Sequence, residues 1–360
     1  MAGRLPCESR NLSFTGRKFF TSEAILGYLV NRFTKAKPQG IATMQYINTM
    51  RTIFLAALLA IGLASTNAPA ADTAIGNVTN VTLSAGVNQS ANFWINNGGV
   101  AAVTPLASDV VRVQYYFAAP LWPKEEPMIA KPTNQWTAVG ATYTDNGSTY
   151  TISTPQLKVV VTKNPFKVDF LDASGTYYLS QDNATYFNSS YNYTAQSGWN
   201  SGDYKLKAVR ALPSNQAIFG LGEYGGPLNR HGRELECWTQ GTGSYHWGEF
   251  QNPVYMNIPF FYGVQPVNGS VPAFVYGIFF NNPCRPLFAF GTSRSGTSNL
   301  SYEAGDGQMD YFFFGGGASH TMASVIDRYS ELTGRPTMLP KWAFGYQLSR
   351  FSYDNQSWVE

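Results

Sequence analysis

The sequence predicts a mainly β protein built from stacked antiparallel sheets. From residue 75 onward, short segments alternate apolar and polar residues or collect β-branched ones, and closely spaced Asn, Gly and Pro turns divide them. Three later segments are so rich in Phe and Tyr that a second sheet must cover them, because an uncovered row would aggregate. At Ser319 the apolar spacing changes to that of a helix.

The elements follow in order. Residues 78–83 are rich in Val and Thr, and residues 110–116 alternate well. Residues 149–153 and 157–161 make two more strands, parted at Pro155, which cannot donate to a ladder. Residues 166–171 are another, and Asp172, Ser174 and Gly175 supply the turn after it. Residues 205–211 continue the pattern, and 255–262, 273–280 and 310–314 are the aromatic strands. Ser319 is placed to cap a helix reaching Leu332, with Val325, Ile326, Tyr329 and Leu332 at helical spacing. Gly334 ends it and Pro336 enforces the exit. Pro340 opens a last element, residues 342–348, which reads as a buried strand. A domain that starts so late has too few residues before Glu360 to bury its own core. It is expected to continue in a longer protein or to be incomplete here.

Composition narrows the function. The 360 residues are 44% hydrophobic, enough for one large domain or two medium ones, and 24 Phe, 22 Tyr and 8 Trp argue against disorder. Only 13% are charged, so Asn, Gln, Ser, Thr and Gly carry the polarity, which suits an extracytoplasmic protein binding neutral ligands such as sugars. A net charge of +3 without a basic run makes nucleic acid a poor partner. Cys7, Cys237 and Cys284 are no disulfide framework; Cys237 and Cys284 could pair in an oxidising compartment or remain two buried thiols. The scattered His231, His246 and His320 lack zinc spacing, so no metal or other cofactor is expected, and His320 is expected at the surface.

The amino terminus reads as processed. Arg51, the apolar run 53–63 and the small residues Ala68 and Ala70 make the three parts of a secretory signal over residues 50–70. The run is too short for a comfortable permanent span. Residues 1–49 then form a leader or precede the true start at Met50, and the mature protein is expected to be secreted or periplasmic.

Several motifs bear on chemistry. Residues 220–226 are glycine-rich, but Pro227, Asn229 and Arg230 do not open the helix that a phosphate cradle needs; a close approach of backbone to backbone is expected. Residues 238–247 join two indoles, an amide and an imidazole on a glycine-rich loop. Trp238 could stack on a pyranose and Gln240 fix a hydroxyl, or Trp238 could fill the sandwich core. No GxSxG is present. Glu223, Glu234, Glu236 and Glu249 cluster in sequence, yet a glycosidase needs carboxylates facing each other at roughly 5 Å or roughly 6.5–9.5 Å. Glu223 and Glu234 are expected instead to partner Arg230 and Arg233.

The ordered set GLGEYGGPLNRHG, CW, NPVYMNIPFFYG, VYGIFFNNP, DYFFFGG and IDRYSELTGRPTMLPKWAFGYQLSRFSY resembles glycoside hydrolase family 31, over about residues 75–360. The family contains α-glucosidases, α-xylosidases, sulfoquinovosidases and related transglycosylases. The resemblance implies an amino-terminal antiparallel β-sandwich of galactose-mutarotase-like type over residues 71–318. It further implies the truncated start of a (β/α)8 barrel over 319–360, with 342–348 its first strand. Arg350, Phe351 and Tyr353 would lie at that strand's carboxyl end, where barrel active sites gather, as substrate-binding residues. The family's catalytic pair of Asp residues would lie on later strands, beyond residue 360, so this chain is expected to hold no catalytic residue and to be inactive alone. The family's sandwich often sends a WNxD-like loop toward the substrate. Trp238-Thr239-Gln240-Gly241 has glycine at the acidic position, which implies a different acceptor contact. The implied partner is an oligosaccharide or α-glycoside. A non-catalytic carbohydrate-binding sandwich is the alternative, which the apolar run from Trp342 fits badly.

Overall fold

The computed structural model describes residues 74–86, 88–116, 128–188, 204–239, 252–347 and 355–358. The expected leader and signal, residues 1–70, lie outside the described residues. Strands β1 (Val78–Leu83), β2 (Ala91–Ile95), β3 (Val100–Ala107) and β4 (Val110–Tyr116) form a meander. A second meander follows, β5 (Thr142–Asp145), β6 (Thr149–Ser153), β7 (Leu157–Lys163), β8 (Phe166–Asp172) and β9 (Tyr178–Ser180), and makes a five-stranded sheet in that order. The next strands are β10 (Asp182–Phe187), β11 (Leu206–Ala211), β12 (Ala217–Gly222), β13 (Glu234–Glu236) and β14 (Asn257–Gln265). The last are β15 (Phe274–Phe280), β16 (Leu287–Phe290), β17 (Asn299–Ala304) and β18 (Met309–Phe314).

An eight-stranded sheet runs β1-β2-β3-β4-β18-β15-β14-β12, and a further five-stranded sheet runs β10-β11-β17-β16-β13. The late strand β18 lies antiparallel to β4, with Phe313 opposite Val111, and so joins the first meander to the rest. The mainly β, antiparallel sandwich expected from the sequence is the observed one.

The aromatic strands are apolar on both faces because both faces are covered. In β18, Met309, Tyr311 and Phe313 enter the core between the sheets, while Phe312 and Phe314 point to the opposite face. In β15, Phe274, Tyr276, Ile278 and Phe280 go one way and Phe279 the other. Ring stacking ties the layers: Phe170 of β8 lies 3.9 Å from Phe313, and Phe280 lies 3.8 Å from Tyr302 of β17.

The opposite face of the large sheet is covered by α1 (Met322–Thr333). Thr321, not Ser319, caps it, its hydroxyl accepting from Ser324 N–H, because the chain still turns through a left-handed His320. Val325 and Leu332 are buried, and Tyr329 stacks on Phe260 at 4.2 Å. Ile326 sits one residue round from Val325, so it leaves the buried stripe and is 41% exposed. Gly334, at φ +91°, ends the helix as expected. No helix of the described residues is long and apolar enough to cross a membrane.

Of the expected buried strand at 342–348, the described part, residues 342–347, forms no strand. Lys341–Phe344 is a single 3-10 turn, and Trp342, Phe344 and Tyr346 are 74%, 67% and 87% exposed. A barrel strand takes its ladder from neighbours on both sides. Among the described residues none pairs with this segment, and no barrel is formed.

Candidate functional site

The glycine-rich segment is a place of close backbone approach. A Cβ on Gly220 would lie 2.6 Å from the Phe260 carbonyl, and one on Gly222 would lie 2.2 Å from the Met256 carbonyl. Buried Arg230 fixes the loop by donating to the carbonyls of Tyr224 (3.0 Å) and Pro227 (2.9 Å). The guanidinium is spent on backbone, so the loop is a brace rather than an anion cradle.

The brace leads to the root of the Trp238 loop. The Tyr224 hydroxyl lies 2.6 Å from both the Glu236 carbonyl and Asn257 Oδ1, and donates to one of them. Asn257 Nδ2 donates to the Val254 carbonyl at 2.7 Å and reaches Thr239 Oγ1 at 3.4 Å. Cys237 N–H donates to the Pro286 carbonyl at 2.7 Å, extending the ladder between β13 and β16 by one step. Trp238 is half-buried, so it does not fill the core. The Arg285 guanidinium lies 5.1 Å from its ring centroid and also pairs with Glu236. Glu236, Arg285 and Trp238 thus form one packed stack at the mouth of the loop.

Glu234 and Glu236 have structural roles, with partners other than Arg230 and Arg233, and among the described residues no side-chain pair joins Glu223 to either arginine. Glu234 accepts from Thr292 Oγ1 at 2.7 Å and lies 3.7 Å from Arg294; Glu236 pairs with Arg285. Arg233 donates to the Gly225 carbonyl at 2.7 Å, and Arg230 to carbonyls as described. β13 holds Glu234 and Glu236 opposite β16, beside the loops that carry Arg285 and Arg294. Tertiary pairing, not proximity in sequence, selected the cations.

Cys237 and Cys284 are free thiols, the first buried and the second half-buried. Burial pushes the Cys237 thiol up to about 12 and the Cys284 thiol, with Asp306 adding to the effect, up to about 11, so neither is a ready nucleophile. His320, expected at the surface, is half-buried, with Nδ1 2.6 Å from the Gly315 carbonyl.

Trp238 is the one expected substrate-binding residue whose surroundings are visible. Gln240, Arg350, Phe351 and Tyr353 lie outside the described residues, as do His246 and Glu249. The sequence reading missed Arg285, which packs on Trp238, and Tyr224 and Asn257, which hold the root of its loop. Nothing in their spacing announces this, because Tyr224 and Arg285 come from separate loops and Asn257 from the start of β14, and the three meet only when β13, β14 and β16 are assembled.

Comparison with known proteins places this architecture. Residues 100–288 match the glycosyl hydrolase 31 N-terminal galactose mutarotase-like domain. The chain is 26% identical over 262 residues to alpha-glucosidase 2 of Bacillus thermoamyloliquefaciens, covering 72% of this chain and 30% of that protein. It is 30% identical over 226 residues to the isomaltosyltransferase of Sporosarcina globispora, covering 61% of this chain and 19% of that protein. The GH31 dextranase of Flavobacterium johnsoniae, solved with isomaltotriose, superposes with a TM-score of 0.60 at 28% identity, over 76% of this chain and 30% of that one. The chain therefore spans less than a third of the length of these relatives. The chain belongs to glycoside hydrolase family 31, and the part of the family that it matches is the amino-terminal sandwich.

Proposed function

We propose that this chain is the sandwich domain of an exported retaining enzyme that cleaves or transfers a terminal α-linked glycosyl group; the names of its relatives, an alpha-glucosidase and an isomaltosyltransferase, support the glycosyl chemistry. The catalytic carboxylates would belong to a barrel that follows the sandwich in the complete protein. The observation that carries the reading is the surface after α1. Met338, Leu339, Trp342, Phe344 and Tyr346 are between 55% and 87% exposed within nine residues, although the sandwich beside them is well packed. A concentration of exposed large apolar side chains of this kind favours a site of further protein contact. A barrel that starts there would cover these residues, and Trp238 would contribute to the wall of its pocket. An indole in such a wall fits a pyranose, whose C–H face stacks on aromatics.

Retention is the testable part. Protein translated from a reading frame continuing past Glu360 is expected to release the α-anomer first from an α-glucoside, followed by proton NMR before mutarotation. Initial release of the β-anomer, or absence of turnover, would overturn the reading.

A further inference from the structure

We propose that the sandwich carries a second carbohydrate site of its own, in a groove framed by β9, the β14–β15 hairpin and the segment before β12, which takes one pyranose unit of an α-glucan. The groove has a volume of about 330 Å³, and its lining contains no charged side chain. That volume lies at the small end of ligand sites, where a single ring rather than a long chain is enclosed.

Its floor is aromatic and rigid. Tyr177 stacks on Phe274 with ring centroids 5.6 Å apart. Tyr178, at 49% exposure, stands on the rim. The back wall is a locked set of buried amides. Gln265 Nε2 donates to Asn215 Oδ1 at 3.0 Å and to the Pro266 carbonyl at 3.1 Å, and Gln216 Oε1 accepts from the Tyr276 hydroxyl at 3.1 Å. Two further amides are not so occupied. Gln181 and Asn268 line the groove, are exposed, and spend their side chains on no other group among the described residues. An amide offers donors and an acceptor together, which suits vicinal hydroxyls. Aromatic carbon, free amides and zero charge recognise a neutral polyol with a flat apolar face, and they give an anion or a cation nothing to pair with.

The groove is far from the Trp238 loop. Asn257 touches Thr239 at one end of β14, and Gln265 lines the groove at the other. At the usual rise along a strand, nine residues set these ends roughly 27 Å apart. The groove therefore holds a separate stretch of polymer. The choice of α-glucan rests on the enzyme reading above, but the groove's existence does not.

Hydrogen–deuterium exchange of the full chain with isomaltotriose, and with mannitol as a polyol lacking a ring face, tests this. Protection of residues 176–181 and 266–271 by isomaltotriose and not by mannitol is expected. The exposed substitutions Tyr178→Ala and Gln181→Ala should each weaken binding by about tenfold, a loss of about 1.4 kcal/mol, without changing the melting temperature. Absence of protection there, equal protection by mannitol, or binding indifferent to both substitutions would overturn the proposal. Protection confined to residues 236–239 would overturn it while leaving the enzyme reading intact.

Discussion

Val325 of α1 rests directly on Gly277 of β15: a Cβ on Gly277 would lie 2.6 Å from Val325 Cγ1 and 2.9 Å from Phe260 Cε2. The absence of a side chain at one strand position is what lets the helix lie against the sheet. Gly277→Ala is expected to cost about 1–3 kcal/mol, the range for overpacking a core. Urea unfolding checks this, and adding Val325→Ala should return part of the loss, since the smaller side chain vacates the colliding space. A neutral Gly277→Ala would mean that the helix is not seated there.

Arg112 and Asp310 form a buried fork on the large sheet, with Nε to Oδ1 at 2.9 Å and Nη2 to Oδ2 at 2.7 Å. Their side chains are only 5% and 8% exposed. Removing one partner leaves a charge in the interior, so Asp310→Ala is expected to destabilise by about 3–5 kcal/mol. Replacing both with apolar residues of similar volume should cost much less, and thermal denaturation of the single and double variants measures the difference.

Asp182 sets a pH dependence. It faces Arg210 across the β10–β11 ladder, and burial pushes its carboxyl from 3.8 up to about 6 despite the opposing guanidinium. Between these values the native protein holds a proton that the unfolded chain releases, so stability from this group falls as pH rises from about 4 to about 6 and is level above. Asp182→Asn mimics the protonated form and keeps an acceptor for Val168 N–H. Relative to wild type it should gain on the order of 3 kcal/mol as pH rises from about 4 to about 7, read by denaturant titration at each pH. A difference that stays flat with pH would contradict the assignment.

Arg285 is expected to act on both the Trp238 loop and the fold. It stacks on Trp238 and pairs with Glu236, the two charged side chains being only 11% and 13% exposed. Arg285→Ala should lower the melting temperature, because Glu236 is left with its charge largely buried, and redden Trp238 fluorescence, as the indole loses its cover. The Trp238→Ala background, in which that spectral change must vanish, checks the assignment.

Much of this architecture is written in the sequence. The strands at 110–116, 149–153 and 166–171 were legible because alternation and turn residues agree there, the last running one residue further, to Asp172. β3 was not, since Pro105 lies inside it; the ladder tolerates that residue at a register shift between Pro105 and Ala107. β12 was read only as a loop because Gly220 and Gly222 resemble turn residues, yet they serve close packing on β14. The 342–348 segment misled in the other direction. Its apolar content signals burial, but which surface buries it is not encoded locally. The same limit applies to the site: Trp238 stood out by residue type, whereas Arg285, Tyr224 and Asn257 gained their roles only from strand pairing.

The central claim is that the sandwich supports catalysis without performing it. The most direct measurement is hydrolysis of 4-nitrophenyl α-D-glucoside by the purified 360-residue chain, against a mock purification. The predicted result is no release of 4-nitrophenol above the mock, from protein that melts cooperatively. Turnover that co-purifies with the chain would contradict it, because the catalytic carboxylates would then have to lie within these residues.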